Sequence, residues 1–300
     1  RAGGVAQLLR EAALQNSEED FPIILVSNEN KIAHLFTPDK TAHDLFDEWY
    51  SKESINASPD RIQCQAIALV EGYKQIADWR IKDRAAFKLF AIPKEDWLDL
   101  GLGDFTQELE EPDIPTHVIS RHVLRKLILR SGILLNANDV SARLGIDPGM
   151  SDIEAIYDCL EKSDAMYSGV FSGGWKRVWR HRFNAWAAAL FGTQATAVTG
   201  DKRAEILADN GFSVTPAVSK WTKSSKEFFA LSCASCDYPT EQMNSVAALD
   251  SDIPSFVDRR RICFHCVMTD EHEKKGLKIS SIEEPVVRRI KSGSLKEEEA

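Results

Sequence analysis

Two Cys-x-x-Cys pairs constrain the fold of this chain more than any other feature of its sequence. The first pair is Cys233 and Cys236, the second is Cys263 and Cys266, and residues 237–262 separate them. Two residues between cysteines let both thiolates of one tight turn reach the same ion, and two such turns complete the tetrahedral set of four ligands that Zn²⁺ prefers. The pattern therefore predicts a zinc ribbon with a closed, structural metal site.

Other interpretations of the cysteines stay open. A redox Cys-x-x-Cys needs one thiol of low pKa and no second pair, and the two pairs could also be unrelated. His265 lies within the second pair and could replace a cysteine as a ligand. No His-x-Glu accompanies the pairs, so a zinc deaminase is not indicated. Cys64 and Cys159 stand alone in helical patterns and are expected to be small buried hydrophobes.

Composition places the chain among ordinary globular proteins. It has 300 residues, 43% of them apolar and 28% charged, with a formal net charge of −9. Its apolar runs are much shorter than the roughly 20 residues of a membrane span. Paired cysteines without a secretion signal indicate metal rather than disulfides, so a cytoplasmic location is expected. The chain opens within a helical pattern and without Met, so we expect its natural start to lie upstream.

The order of patterns predicts an α+β multidomain protein with four segments. Residues 1–57 read as a short α/β part and residues 58–112 as a helical connector that ends in an acidic, proline-containing linker. Residues 113–200 read as a helical domain rich in basic and aromatic residues. Residues 201–300 hold the cysteines and a charged tail.

Within the first segment, the continuous apolar run 21–26 is typical of a buried parallel strand. Residues 30–36 and 40–48 read as short helices, and residues 49–55 as another short strand. Pro59 is expected at the first position of a long helix.

Residues 1–55 resemble the C-terminal half of a response-regulator receiver domain. Ser27 directly follows the first apolar run, while Tyr50 and Lys52 lie in the second predicted strand. Receiver domains carry a hydroxyl residue after the fourth strand, an aromatic residue in the fifth strand and a lysine just after that residue. The spacing from Tyr50 to Lys52 is slightly longer than usual.

The resemblance implies a phosphoryl switch of the kind used in bacterial phosphorelay signal transduction. Ser27 would donate a hydrogen bond to a phosphoryl oxygen, Lys52 would neutralise its charge, and Tyr50 would report the switch by changing rotamer. The phosphoacceptor Asp and the acidic pair that binds Mg²⁺ would lie upstream of Arg1. Mg²⁺ is therefore a cofactor only if that upstream half is intact, and a degenerate receiver that takes no phosphate is an alternative.

A basic and aromatic stretch lies in the middle of the chain. No acidic residue occurs from 165 to 200, and this stretch contains Lys176, Arg177, Arg180 and Arg182. A positive patch in an acidic protein is typical of nucleic-acid binding. Three further arginines, Arg259, Arg260 and Arg261, lie beside the second cysteine pair and could contact phosphate or an acidic partner, or simply be solvated.

A purely structural interpretation of the middle stretch competes with this one. Trp175, Trp179, Phe183 and Trp186 recur at helical spacing, which predicts one buried face of a single helix. The arginines would then pair with acids of neighbouring helices. Residues 133–160 are similar in pattern to a helix-turn-helix. Their second helix is too acidic for a DNA groove, which favours a structural or protein-contact role.

No catalytic motif stands out in the sequence. We therefore expect a non-enzymatic signalling or regulatory protein that binds nucleic acid or a protein partner. Two alternatives remain: a nuclease-like enzyme whose catalytic half is absent from this chain, and a protein-interaction scaffold. The sequence does not predict an oligomeric state.

Overall fold

The computed structural model describes residues 2–15, 20–28, 44–82, 84–107, 109, 114–250 and 253–295. The protein is α+β, about half helical, with its strands in small two-stranded sheets. Two compact units form: one comprises Arg1–Arg130 with Tyr167–Lys176, and the other comprises Ser131–Met166 with Arg177–Ala300. Among the described helices, none combines the length and the apolar character that a membrane crossing requires.

In the described part of the first unit there is one parallel strand pair and a series of helices. Strand β1 spans Ile24–Ser27 and strand β2 spans Glu48–Ser51. The helices are Ala2–Gln15, Lys52–Ala57, Pro59–Lys82, Ala86–Leu89, Lys94–Asp99, Gly103–Gln107 and Thr116–Val123, the last continued by a π-helical segment, Leu124–Ile128.

The strand pair and the first helix share a small apolar core and a buried ionic network. Leu25 of β1 packs with Ala6 and Phe46. Arg10, only 6% exposed, contacts Asp20 at 3.1 Å and Asp47 at 2.6 Å. Asp47 directly precedes β2 and Asp20 lies a few residues before β1, so the network holds the segments that lead into both strands. Buried charges require this kind of pairing.

The long helix Pro59–Lys82 carries the core of the first unit. Its apolar face includes Leu69 and Ile76, both fully buried. Gly72 lies on the same helix where the ring of Phe171 approaches. A Cβ at this position would lie 2.1 Å from a ring carbon of Phe171. Glycine therefore permits the contact between the helix and the 167–176 segment.

The second unit contains three antiparallel strand pairs. The paired strands are β3 (Leu134–Leu135) with β4 (Val178–Trp179), β5 (Leu231–Ser232) with β6 (Pro239–Thr240), and β7 (Ser245–Ala247) with β8 (Arg261–Cys263). Its helices are Ala137–Leu144, Ile153–Lys162, Arg180–Phe191, Gly200–Asp209, Phe264–Met268, Glu271–Lys274 and Glu284–Ser292, with short 3₁₀ segments at Ala195–Ala197 and Ser281–Glu283.

The Ala137–Leu144 helix shows how local sequence sets its limits. Asn136 accepts from the backbone N–H of Asp139, and the Asp139 carboxylate accepts from the backbone N–H of Asn136, which forms a capping box. Gly145 ends the helix in the left-handed region at φ 69°. The fully buried Arg203 donates to the carbonyl oxygen of Arg143 in the last turn, where a cation is favoured by the helix dipole.

The structure corrects several sequence expectations. The helix predicted from Trp175 begins only at Arg180, because Val178 and Trp179 pair with β3. The second predicted strand ends at Ser51, where the Ser51 side chain accepts from the backbone N–H of Ser54 and starts a helix. The predicted helix over 30–36 lies outside the described residues. Pro59 begins the long helix as predicted.

The compact units do not follow the four segments expected from composition. The Thr116–Val123 helix packs with the Pro59–Lys82 helix in the first unit, although the two were assigned to different segments. The 167–176 segment, expected in the middle domain, also belongs to the first unit. Apolar packing between distant segments defines these units, and composition along the chain does not record it.

Candidate metal centre

The first cysteine pair lies on a tight turn between two strands. Strand β5 leads into Cys233, and β6 returns antiparallel to it just after Cys236. The backbone N–H of Cys233 donates to the Tyr238 carbonyl oxygen at 2.9 Å, and that of Asp237 donates to the Cys233 carbonyl oxygen at 2.8 Å. Asp237 has a φ of 58°, which closes the turn. Both thiol groups therefore leave the same turn.

The second pair lies where a strand becomes a helix. Cys263 ends β8 and precedes the Phe264–Met268 helix, on which Cys266 sits. Strand β7 pairs with β8 and fixes its position, with Val246 opposite Ile262.

The two turns bring all four sulfurs together. The four Sγ atoms lie within 4.8 Å of one another, and Cys236 and Cys263 are separated by 4.0 Å between their sulfurs. A disulfide needs about 2.05 Å, and all four cysteines are free. Tetrahedral ligands at about 2.3 Å from a zinc ion lie about 3.8 Å apart. The spacing therefore matches four ligands of one ion.

The surroundings of the sulfurs favour thiolates in the first cysteine pair and protonated thiols in the second, as the directions of their pKa shifts indicate. Backbone N–H groups of Cys263 and Ser235 donate to the Cys233 sulfur at 3.2 and 3.4 Å. Hydrogen bonding with the neighbouring Cys233 lowers the pKa of Cys236, whereas hydrogen bonding with Cys233 raises the pKa of Cys263. Four adjacent thiol groups thus retain protons among themselves, and a divalent cation would allow all four to ionise.

Burial makes the cluster part of a small core. Cys233, Cys263 and Cys266 are buried, and Cys236 is half-buried. Trp221 and Phe264 pack edge to face beside the cluster, with ring centroids 5.6 Å apart. The remaining apolar members include Val246, Ile262, Val267 and Ile290. These four cysteines form a group that could hold a metal ion such as zinc.

The sequence did not indicate one residue of this site. Lys220 is half-buried, and attraction to the sulfur of Cys236, together with a hydrogen bond to it, outweighs burial and raises the pKa of this lysine. A positive charge here partly compensates the thiolates. No spacing rule connects Lys220 to the cysteine pairs, because it lies in a loop outside both turns. His265, the alternative ligand, is not part of the group.

Neither of the lone cysteines is buried as expected. Cys64 is exposed on the Pro59–Lys82 helix, and Cys159 is only half-buried. The helical pattern placed both residues correctly on helices but did not determine which face meets solvent.

A second group of metal-ligating side chains occurs in the same unit. Asp270, His272 and Glu273 have ligand atoms within 4.8 Å of one another. Asp270 already pairs with Lys291 at 2.7 Å, and the Nδ1 atom of His272 lies 3.0 Å from the carbonyl oxygen of Cys266. These contacts account for the arrangement without an ion.

Of the three receiver-like residues, Ser27 and Tyr50 lie on the parallel strand pair and Lys52 begins the helix that follows it. Ser27 ends β1 opposite Ser51, which ends β2. Lys52 follows directly, exposed at the start of a helix. Tyr50 is buried, and its hydroxyl donates to the side-chain oxygen of Gln65 at 3.0 Å.

Some of the basic side chains of the predicted patch form ion pairs within the protein. Arg180 makes two bonds to Asp258, at 2.7 and 2.9 Å, and Arg182 contacts Asp164 at 2.6 Å. Arg177 is half-buried, and burial lowers its pKa. Lys176 is exposed.

The arginines beside the second cysteine pair are also partly engaged. Arg260 forms a bidentate contact with Asp250. Arg261 donates to the Ser245 side chain at 2.8 Å, which holds β7 against β8. Arg259 is exposed. Two of these three cations therefore hold the fold around the cysteines.

The aromatic residues of the middle stretch are mostly buried, although not on one helix. Trp179 and Phe183 are almost fully buried, and Trp175 is 5% exposed. Trp179 belongs to β4, whereas Phe183 and Trp186 belong to the Arg180–Phe191 helix. The buried rings therefore come from different elements: Trp175 from a bend, Trp179 from β4 and Phe183 from the helix, whereas Trp186 is half-buried.

The comparisons with known proteins find no significant match to this chain. A scan against family models finds no match, and no curated protein or solved structure is significantly similar to the chain.

Proposed function

We propose that this chain is a non-enzymatic regulatory protein with a structural zinc ion at its four cysteines. The proposed partner is another protein or a nucleic acid, and a receiver-like N-terminal region controls the interaction. The convergence of four sulfurs within 4.8 Å carries the proposal. Catalytic zinc sites keep a coordination position open for water or substrate, whereas four protein ligands close the shell. The zinc-ribbon assignment is supported by the hairpin around the first pair.

Metal analysis of matched cysteine variants tests the zinc site. The wild-type chain is expected to hold one zinc ion, measured by mass spectrometry of the native protein. Cys233→Ser with Cys266→Ser removes one ligand from each turn and should abolish zinc retention. The control, Cys64→Ser with Cys159→Ser, changes the two cysteines outside the cluster and should keep one ion per chain.

Zinc retained at full stoichiometry by the Cys233→Ser, Cys266→Ser variant would contradict the site. So would a wild-type chain that binds no zinc after refolding with the metal.

The parallel strand pair supports the receiver-like part of the proposal. Strands β1 and β2 are hydrogen-bonded in register, so Ser27 and Ser51 reach the same sheet edge and Lys52 follows there. A hydroxyl and an ammonium at one edge provide the donor and the charge that a phosphoryl group requires.

A phosphoryl mimic tests this switch in the complete gene product. Beryllofluoride with Mg²⁺ is expected to slow amide exchange in residues 24–28 and 48–52. Lys52→Ala should remove the effect, whereas Lys74→Ala, an exposed lysine of the Pro59–Lys82 helix, should keep it. The receiver-like proposal fails if the complete product shows no response, or if Lys52→Ala responds like wild type.

A binding experiment distinguishes a nucleic-acid partner from a protein partner. Salt dependence of DNA and RNA binding, followed by fluorescence anisotropy, separates the two, since each lost phosphate contact lowers the slope by about one unit. If Arg177→Ala with Arg180→Ala leaves the affinity and the slope unchanged, the basic-patch hypothesis is wrong and a protein partner is favoured. Cleavage of the nucleic acid that requires a divalent metal would instead favour the nuclease alternative.

A further inference from the structure

A polar cavity lies in the second unit, among residues of two helices and the segment that follows them. Its volume is about 160 Å³. Four polar side chains line it: Arg143, Asn184, Gln194 and Thr196. Apolar residues, including Phe183 and Ala187, form the rest of the lining. Arg143 comes from the last turn of the Ala137–Leu144 helix, and Asn184 comes from the Arg180–Phe191 helix.

The guanidinium of Arg143 is attracted by two carboxylates, Asp139 and Asp258, but it shares Asp258 with Arg180. Its side chain is 17% exposed, and its contact with Asp258 spans 3.5 Å. The same carboxylate accepts two shorter bonds from Arg180, at 2.7 and 2.9 Å. Asp258 therefore compensates Arg180 more than Arg143. In addition, the Nε atom of Arg143 is buried and has no hydrogen-bond partner among the described residues.

An unsatisfied guanidinium nitrogen in a buried position is costly. Arginine offers donors in a planar fork that matches the oxygens of a phosphate or a carboxylate. The amides of Asn184 and Gln194 and the hydroxyl of Thr196 supply further neutral donors at the same cavity. Acidic residues are absent from its described lining, so the lining as a whole favours an anion.

The size of the cavity restricts the class of ligand. Pockets for drug-sized ligands occupy about 300–1,000 Å³, whereas one water molecule takes about 30 Å³. A volume of about 160 Å³ is too small for a nucleotide and sufficient for a small ion with its retained water.

We propose that this cavity binds a small oxyanion, a phosphate or carboxylate group, on the guanidinium of Arg143. The Asn184, Gln194 and Thr196 side chains complete the shell of donors. The site is independent of the four cysteines and of the receiver-like strands.

Thermal unfolding in two anions at constant ionic strength tests the proposal. Inorganic phosphate or acetate, each compared with sodium chloride, is expected to raise the midpoint temperature in a saturable manner. Calorimetric titration with the same anion gives the dissociation constant. Arg143→Gln removes the charge and the fork and should raise this constant at least tenfold. Arg143→Lys keeps only the charge and should have a smaller effect.

Two further variants keep the test decisive. Arg288→Gln makes the same change on an exposed helix outside the cavity lining and should leave anion binding unchanged. If Arg143→Gln does not fold, Gln194→Leu with Thr196→Val removes neutral donors from the cavity and should weaken binding severalfold. A response to phosphate alone or to acetate alone identifies the group that is bound and supports the site.

Three results would overturn the proposal. In the first, neither anion has an effect beyond that of chloride, so that the cavity holds only water. In the second, a folded Arg143→Gln variant binds the anion as tightly as wild type. In the third, Arg288→Gln weakens binding as much as Arg143→Gln, which would indicate a general charge effect.

Discussion

Individual residues of this protein show how burial and partners change their chemistry. Arg10 is buried yet paired with two carboxylates, and the nearby attraction raises its pKa despite burial. Arg203 is fully buried, no carboxylate among the described residues pairs with it, and burial lowers its pKa to about 10. Its hydrogen bond to a helix C-terminus partly replaces the missing counter-charge. The same residue type therefore serves two different structural purposes.

Glu48 gives a prediction at this scale. Burial raises the pKa of Glu48 from 4.5 to about 7. The folded state then binds more protons than the unfolded state between these pH values, so stability falls as the pH rises from about 4.5 to about 7. Glu48→Gln should remove this fall. The difference in unfolding free energy between the variant and wild type should therefore be about 2–3 kcal/mol more favourable to the variant at pH 8 than at pH 5.

Urea denaturation of both proteins at pH 5 and pH 8 measures the difference. Glu53→Gln, an exposed glutamate nearby, is the control and should show no such gain. An equal free-energy difference between Glu48→Gln and wild type at both pH values would show that Glu48 titrates normally.

At the scale of elements, close approach decides packing in the first unit. The Pro59–Lys82 helix accepts the ring of Phe171 only because position 72 has no Cβ. The Ala2–Gln15 helix also carries a glycine, Gly4, but none of the described residues lies within 4 Å of the position that its Cβ would occupy. The same substitution should therefore have opposite effects in the two helices.

Gly72→Ala should destabilise the protein by about 1–3 kcal/mol, because the added methyl group overlaps a buried ring. Gly4→Ala should be neutral or stabilise it by up to about 1 kcal/mol, because alanine restricts the unfolded chain. Denaturant midpoints measured at one pH compare the two. A Gly72→Ala variant as stable as wild type would show that Phe171 moves aside at little cost.

For the whole molecule, the division into two units predicts that the metal stabilises the second unit and that the first unit does not depend on it for its stability. The cysteines, Trp221 and the packed helix Glu284–Ser292 all belong to the second unit. Binding free energy at a structural site is folding free energy. Removal of zinc should therefore loosen the segment around the cysteines first.

Hydrogen exchange before and after treatment with a strong chelator checks this expectation. Protection should fall in residues 231–268 and stay high in the Pro59–Lys82 helix, and added zinc should restore it. Equal loss of protection in both regions would show that the units unfold together. Unchanged protection in residues 231–268 would show that no metal supports them.

The two cysteine pairs and the helix limits at Pro59 and Gly145 follow from the sequence, because each depends on residues within one or two turns of chain. The apolar run at 21–26, which predicts a parallel strand, is likewise a local pattern. Partners distant in the chain decided the rest. Arg180 pairs with Asp258, 78 residues away, a partner that the sequence alone did not identify. Val178 and Trp179 form β4 and pair with β3 instead of extending a helix, because strand pairing with distant residues outweighs local helical periodicity.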